Sequence, residues 1–451
     1  MRVAIHTLGC KVNRYESEAI SEVFARRGAE IVPEDAEADV YIVNTCTVTN
    51  LADRKSRQFI RRMKALNPDA LMVVTGCYAQ VSSDALTAMP EVDLIIGNSL
   101  KSEIPDRVEE LLAQRSAFLE GSRDIHVLPY EELTQYEDMG IVTSSESAMS
   151  RAYLKIEEGC NRFCSYCLIP YARGKIRSRR PEEVLQEAEQ LLGQGFRELV
   201  LTGINTALYG REPGFDFLRE PGEEGMEPLE ALIRRLDRMP GDFRVRLSSL
   251  EPTVVDRDNV ERIVRYGKLC RHLHLSIQSG SDTVLERMNR HYTQEEYLSI
   301  VQALREYDPL YGITTDIIVG FPGETEEEFR ETLETVKQVG FGRVHIFRYS
   351  PRKGTAAVKL PGAVPGPVSA ERASRLEKAA GESAAEFYRK NLGTVQEVLA
   401  EERDGDLAAG YTGNYIRVWI RDPEERVGIG EIVRVRLTEL SGEGCLAELE
   451  E

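Results

Sequence analysis

Cys160, Cys164 and Cys167 form a C-x-x-x-C-x-x-C run in Glu158-Gly159-Cys160-Asn161-Arg162-Phe163-Cys164-Ser165-Tyr166-Cys167, and this run constrains the fold more than any other stretch. Three thiolates this close in sequence must fold around one centre. Four cysteines saturate an iron–sulfur cube, whereas three leave one iron open to a further ligand. A structural zinc site is the alternative. It wants a fourth Cys or His nearby, and the next cysteine, Cys270, lies over a hundred residues on. The run follows the strand-like segment Ala152–Ile156, and active sites of β/α barrels sit at the carboxyl ends of their strands.

A second set of thiols is marked by position. Val3–Leu8, Val40–Asn44 and Leu71–Thr75 are apolar runs rich in β-branched residues, and Leu94–Ile96 is a fourth of the same kind. Amphipathic stretches, Tyr15–Arg27 and Ala52–Leu66, lie between them, so residues 1–120 read as a doubly wound α/β domain around a parallel sheet. Cys10, Cys46 and Cys77 each fall one or two residues past a strand end, where ligands bind in such sheets. Buried structural cysteines are the bland reading. The loop positions beside Gly9, Asn44-Thr45 and Gly76 favour a second three-thiolate cluster with an open iron.

Residues 121–150 are polar and read as a linker. Six strand candidates follow: Ala152–Ile156, Glu198–Thr202, Arg244–Ser248, His272–Ile277, Gly312–Val319 and Arg343–Phe347. Helix-length segments separate them, which predicts a partial (β/α)6 barrel over 151–358. Pro181 before Glu182-Glu183, and Thr325 three residues before Glu328, mark helix starts. Residues 359–390 hold a Pro/Gly linker and a helix, predicted over Ser369–Leu392. Residues 391–451 alternate in short runs (Thr394–Ala400, Tyr415–Ile420, Ile432–Leu437) as a small β-barrel does. Cys270 and Cys445 read as small apolar fillers.

These features resemble the radical S-adenosylmethionine (SAM) superfamily, whose hallmark is the C-x-x-x-C-x-x-C run. Over its whole length the chain resembles the methylthiotransferases. That family joins an N-terminal three-cysteine domain, a radical SAM barrel and a C-terminal TRAM domain, in this order. The segment His6-Thr7-Leu8-Gly9-Cys10-Lys11-Val12-Asn13-Arg14-Tyr15-Glu16-Ser17 is similar to the subgroup acting on threonylcarbamoyladenosine in tRNA. The resemblance implies two [4Fe–4S] clusters. Cys160, Cys164 and Cys167 would hold the one that binds SAM and, once reduced, cleaves it to a 5′-deoxyadenosyl radical. Cys10, Cys46 and Cys77 would hold an auxiliary cluster carrying the sulfur to be inserted at carbon 2 of the adenine. It also implies SAM contacts at Tyr166, at Thr202, Gly203 and Asn205, at Ser276, Gln278 and Arg287, and at the backbone of Ile318 and Gly320. An electron donor of flavodoxin or ferredoxin type and a sulfur donor complete the expected partners.

Charge bears on how RNA is held. With 57 Lys+Arg against 75 Asp+Glu the chain carries a net −18, which excludes a basic coat that captures nucleic acid in bulk. Two stretches reverse that sign: Arg54–Lys64, and Arg173–Arg180 with Arg173, Lys175, Arg177, Arg179 and Arg180. The second follows the cysteine run directly and is the expected phosphate contact. From Asn391 to Glu451 there are 6 Arg and 14 Asp+Glu, so Arg417, with Tyr411 and Tyr415, is the candidate contact there. No stretch of 18 apolar residues occurs and no leader precedes the first strand pattern, so a cytoplasmic protein off the membrane is expected. Methylthiotransferases for isopentenyladenosine or a ribosomal protein, and a non-catalytic iron–sulfur carrier, are the competing readings.

Overall fold

Short runs of valine, isoleucine and leucine, buried on both faces, build the first sheet. The computed structural model describes residues 1–114, 124–140, 150–215, 217–252 and 255–450. The chain divides into two units, one of Met1–Ser145, Glu157–Arg179 and Ser350–Thr355, the other of Glu146–Ile156, Arg180–Tyr349 and Ala356–Glu451. Of the linker expected over 121–150, residues 121–123 and 141–149 lie outside the described residues.

In the first unit, β1 (Arg2–Thr7), β2 (Glu30–Val32), β3 (Val40–Thr45), β4 (Leu71–Gly76), β5 (Leu94–Ile96) and β6 (Asp124–His126) form one sheet in the order β2-β1-β3-β4-β5-β6. Every pairing is parallel. Alternate residues of β3 serve opposite cores, as the two-residue pleat requires. Val40 and Ile42 pack with Ile20, Phe24 and Val108, while Tyr41 and Val43 pack with Phe59, Ile60 and Met63. Helices Lys11–Arg26 and Asn50–Leu66 therefore lie on opposite faces, and the sheet is doubly wound as expected. The edge strands β2 and β6, three residues each, show no periodic signal in the sequence.

Residues 157–179 and 350–355 fall within the span read from sequence as the barrel, yet they pack with this sheet. Buried ion pairs account for it: Arg173 with Glu16 (2.5 Å) and Arg352 with Asp53 (2.6 Å). Such pairing is specified by three-dimensional contact and leaves no periodicity to find.

In the second unit, strands Arg151–Lys155, Glu198–Thr202 and Arg244–Leu247 pair in parallel, with Leu154 and Leu247 both aligned to Leu201. Ser249–Leu250, His272–Leu275, Gly312–Val319 and Arg343–Arg348 form a second parallel set. Among the described residues no pairing returns from Arg343–Arg348 to Arg151–Lys155, so the β/α array is open. Pro181 opens helix Pro181–Gly193, and Thr325 with Glu328 makes the expected capping box at helix Glu326–Val339. Helix Gly366–Asn391 leads to a closed five-stranded barrel of Val395–Asp404, Leu407–Thr412, Arg417–Arg421, Ile432–Ser441 and Gly444–Leu449. Its core includes Cys445. No helix of the described residues is long and apolar enough to cross a membrane.

Candidate metal centres and cofactor site

Sheet register brings the first cysteine set together. Thr7 aligns with Asn44 and Thr45 with Gly76, so β1, β3 and β4 end level with one another. Cys10 caps helix Lys11–Arg26, Cys46 follows β3, and Cys77 opens helix Cys77–Val81. None of the eight cysteines, all among the described residues, is in a disulfide. Burial pushes the Cys46 thiol up to about 12, and the neighbouring Cys77 and Cys10 add to the rise. Cys10 as a residue reaches solvent, yet its thiol is raised as well, by the packing around the sulfur and against the pull of Arg173. A Cβ on Gly9 (φ +113°) would stand 2.8 Å from Cys46 Cβ and 3.0 Å from its Sγ, so only glycine leaves room for that thiol. Three unbridged thiols at one sheet edge, two of them buried, fit an iron–sulfur group with one iron left open.

The second set lies on a loop closed at its base. Glu157–Glu158 pairs with Arg177–Ser178 as a two-stranded ribbon, and the Cys160 N–H donates to the Gly174 carbonyl (3.1 Å). Between these points Phe163 takes φ +48° and the Ile169 N–H donates to Cys167 Sγ (3.4 Å). Burial raises the Cys160 thiol, and Cys167, Glu157 and Cys164 add to it against a hydrogen bond from the Arg162 backbone. This set also fits an open three-thiolate site.

Gly159 is the hinge of the loop. At φ +85° its Cβ would meet the Lys175 carbonyl oxygen at 1.9 Å. Gly159→Ala is therefore expected to force the ribbon apart, at more than about 1 kcal/mol for the left-handed backbone alone. After anaerobic reconstitution, iron per chain should fall by about half and 5′-deoxyadenosine formation to background. Full iron with normal SAM cleavage would contradict this account.

The basic row at Arg173–Arg180 needs correction. Arg173, Arg177 and Arg179 are buried, at 0%, 3% and 3% exposure, and only Lys175 and Arg180 reach solvent. Arg173 binds Glu16, Glu158, Asn13 and Cys77, while Arg177 donates to the Arg173 carbonyl and to Ser99. Arg173 and Arg177 thus neutralise buried acids or bind a carbonyl, Arg179 is buried, and none of the three is available to phosphate. In the other stretch, helix Asn50–Leu66, Arg54, Lys55, Arg61 and Arg62 are exposed. Arg57 and Lys64 are taken by Tyr78 and by Asp93.

In the second unit, strand pairing assembles several of the residues expected around SAM. The Gln278 N–H donates to the Asp316 carbonyl and the Ile318 N–H to the Gln278 carbonyl, each at 2.9 Å, which brings Ser276, Gln278, Ile318 and Gly320 into one segment. Gln278 sits at φ +64° and Gly320 at φ +73°. Strain at a non-glycine residue is held only where surrounding structure enforces it. Thr202 Oγ1 lies 3.3 Å from Ser248 Oγ, and Asn205, two residues past Gly203, donates to Glu251 at 2.8 Å. Tyr166 belongs to the first unit, half-buried in the cysteine loop. Arg287, expected at the SAM carboxylate, is held by both oxygens of Glu328 (2.9 and 2.8 Å).

Sequence reasoning missed His274, Asp316 and His345. His345 stands opposite Asp316 in register, and the ligand atoms of the three lie within 4.8 Å of one another. Burial works against the Asp316 carboxylate, but His274 outweighs it and holds Asp316 below the usual carboxylate range. Only the pairing register reveals this group, because its members lie up to 71 positions apart in sequence, from His274 to His345.

Arg417 is engaged with Glu402 and lies over the Tyr411 ring (5.1 Å to its centre). Tyr411 stacks on Tyr415, and Tyr415 stacks on His272 and carries the Arg246 guanidinium over its ring at 4.9 Å. These rings, expected as an RNA contact, join the small barrel to the parallel strands.

The open β/α array and the C-x-x-x-C-x-x-C loop are those of an iron–sulfur enzyme of the radical SAM type. Residues 154–336 match the profile of the Radical SAM superfamily, and residues 2–97 that of Uncharacterized protein family UPF0004. The chain is 41% identical over 442 residues to the threonylcarbamoyladenosine tRNA methylthiotransferase MtaB of Bacillus subtilis, covering 96% of this chain and 93% of that protein. It is 35% identical to the tRNA-2-methylthio-N(6)-dimethylallyladenosine synthase of Moorella thermoacetica, covering 96% and 95%. The radical SAM methyltransferase TsrM of Kitasatospora setae, solved with cobalamin and a [4Fe–4S] cluster, shares the fold at a TM-score of 0.55 with 15% identity, over 78% of this chain and 73% of that one. This chain belongs to the radical SAM methylthiotransferase family. As a radical SAM enzyme it works with an iron–sulfur cluster and SAM.

Proposed function

We propose that this enzyme acts on tRNA, placing a methylthio group on carbon 2 of N6-threonylcarbamoyladenosine at position 37, beside the anticodon. The observation that carries the reading is the pair of separate three-cysteine sets, one per expected cluster. The choice of nucleoside is supported by the greater identity to the Bacillus enzyme and by the segment His6–Ser17. When bound, the cluster on Cys160, Cys164 and Cys167 supplies the electron that cleaves SAM, and that on Cys10, Cys46 and Cys77 supplies the sulfur. A radical route is needed because that adenine carbon is neither acidic nor electrophilic enough for ordinary polar chemistry.

The chain's own residues orient the reactants. Within the second unit, Ser276, Gln278, Ile318 and Gly320 line the adenosine of SAM, with Thr202, Gly203 and Asn205 at its amino group. For RNA, the first unit offers a cavity of about 570 Å3 lined by Asp53, Gln80, Tyr130, Leu168, Tyr171 and Lys353. Its Tyr171 ring lies 5.7 Å from that of Phe163 and 6.3 Å from that of Tyr130, a surface on which an unstacked base can rest. Exposed Lys175 and Arg180, with Arg54 and Lys55, supply the phosphate contacts. Reductant of flavodoxin or ferredoxin type and a sulfur donor act with it in the cytoplasm.

Nucleoside mass spectrometry of tRNA from a deletion strain tests the reading. The methylthio form of threonylcarbamoyladenosine should vanish, its parent nucleoside accumulate, and complementation restore it. Persistence of that form in a strain lacking any paralogue would overturn the assignment, and loss of the methylthio-isopentenyl nucleoside would move it to the other subgroup.

A further inference from the structure

We propose that Arg173 is a positioning residue that sets the electron affinity of the cluster on Cys10, Cys46 and Cys77 and ties it to the loop bearing Cys160, Cys164 and Cys167. The proposal rests on the two-cluster reading above. Arg173 ends helix Ile169–Arg173, just past Cys167, and is wholly buried. Its Nε donates to Cys77 Sγ at 3.4 Å. Nη1 donates to Glu16 at 2.5 Å and to Glu158 at 2.8 Å, and Nη2 to Asn13 at 2.5 Å and Glu16 at 3.0 Å.

Cys77 belongs to the first cysteine set, and Asn13 and Glu158 are each tied to other cysteines. Glu158 stands two residues before Cys160. Asn13 accepts from the Cys10 thiol (3.7 Å) and donates to the carbonyls of Leu8 and Thr45, which flank Cys10 and precede Cys46. One guanidinium thus reaches both cysteine sets.

A plain structural clasp would need only the carboxylates. Buried charge is tolerated when it is paired, and here Arg173 and Lys101 balance Glu16 and Glu158, with Lys101 3.1 Å from Glu16. The bond to sulfur distinguishes the two cases. A thiol is a weak acceptor, whereas a ligating thiolate accepts a charge-assisted hydrogen bond. The Nε contact therefore strengthens when Cys77 carries iron. Hydrogen bonds to the sulfurs and nearby charge are among the factors that set an iron–sulfur potential, and a buried cation favours the reduced form, which is one charge more negative.

Redox titration followed by EPR tests this on the full chain carrying Cys160→Ala, Cys164→Ala and Cys167→Ala, reconstituted anaerobically so that only the N-terminal set holds iron. Two variants are made in that background. Arg173→Gln with Glu158→Gln removes the cation together with one counter-charge and leaves Glu16 on Lys101. Glu16→Gln removes an anion and keeps Arg173. The midpoint should move negative in the first and positive in the second. Unchanged midpoints at full iron loading overturn the proposal. If the double variant fails to load, the sign of the Glu16→Gln shift decides alone, and a zero or negative shift refutes it. Failure of the triple-alanine parent itself to bind iron would instead refute the two-cluster reading.

Discussion

Cys46→Ala is expected to stop methylthio transfer while leaving SAM cleavage in place, and Cys164→Ala is expected to stop both. The two residues belong to sets at different places in the first unit, one at the edge of β3 and one on the loop closed by the Cys160–Gly174 hydrogen bond. Losing a direct ligand should exceed the roughly 10–100-fold cost of losing a partner one layer out, so each affected step should fall by more than ~100-fold. Iron should drop from about eight to about four per chain in either variant, the content of one lost four-iron cluster. Anaerobic assays that follow 5′-deoxyadenosine and the methylthiolated nucleoside in parallel separate the outcomes. Transfer surviving in Cys46→Ala would remove the auxiliary role from Cys10, Cys46 and Cys77. Cleavage surviving in Cys164→Ala would show that the C-x-x-x-C-x-x-C run is not the SAM-binding set.

Both thiolate sets were readable in the sequence for different reasons. Cys160, Cys164 and Cys167 announce themselves by spacing. Cys10, Cys46 and Cys77 do so only once the strands before them are recognised, because β1, β3 and β4 end level in the sheet. Long elements with strong periodicity, such as Asn50–Leu66 and Gly312–Val319, were placed closely, and the capping box at Thr325 was found from three-residue spacing alone. What stayed hidden depends on contacts between distant segments. The barrel strands Leu407–Thr412 and Gly444–Leu449 carry glycine and alanine where β-branched residues would have signalled them. The His274, Asp316 and His345 group exists only through register.

Charge gave the clearest misreading. Arg173, Arg177 and Arg179 look like a phosphate-binding row when read along the chain, but the ribbon Glu157–Glu158 with Arg177–Ser178 turns them inward. A run of cations reports net charge, whereas the acids that neutralise it lie elsewhere: Glu16 is over 150 residues away from Arg173. With those three withdrawn, few exposed cations remain near the cysteine loop in a chain of net −18. If the proposed surface holds the tRNA, its affinity is expected to depend only weakly on salt.

Glu198→Gln is expected to cost about 3–5 kcal/mol of stability, the usual consequence of removing one member of a buried ion pair. Glu198 is fully buried and binds Arg244 at 2.6 Å and Arg246 at 2.7 and 3.1 Å. Those guanidiniums reach on to the carbonyls of Tyr411 and Thr412, so the pair fixes the small barrel against the parallel strands. Burial alone would raise the Glu198 carboxyl, but Arg246 and then Arg244 overcome it and hold it far below the usual carboxylate range. A carboxylate depressed on folding stabilises above its unfolded value, about 4.3, and loses that contribution as pH falls through its lower folded value. Wild type should therefore lose stability below about pH 4 in part through this group, and Glu198→Gln should show a flatter acid limb from a lower starting point. Denaturant unfolding at pH 7 and at several points from pH 4 down to about pH 2 measures both effects. A loss under ~1 kcal/mol at pH 7 would mean that the barrel carbonyls satisfy Arg244 and Arg246 without the carboxylate, and that the anchor lies elsewhere in the contact.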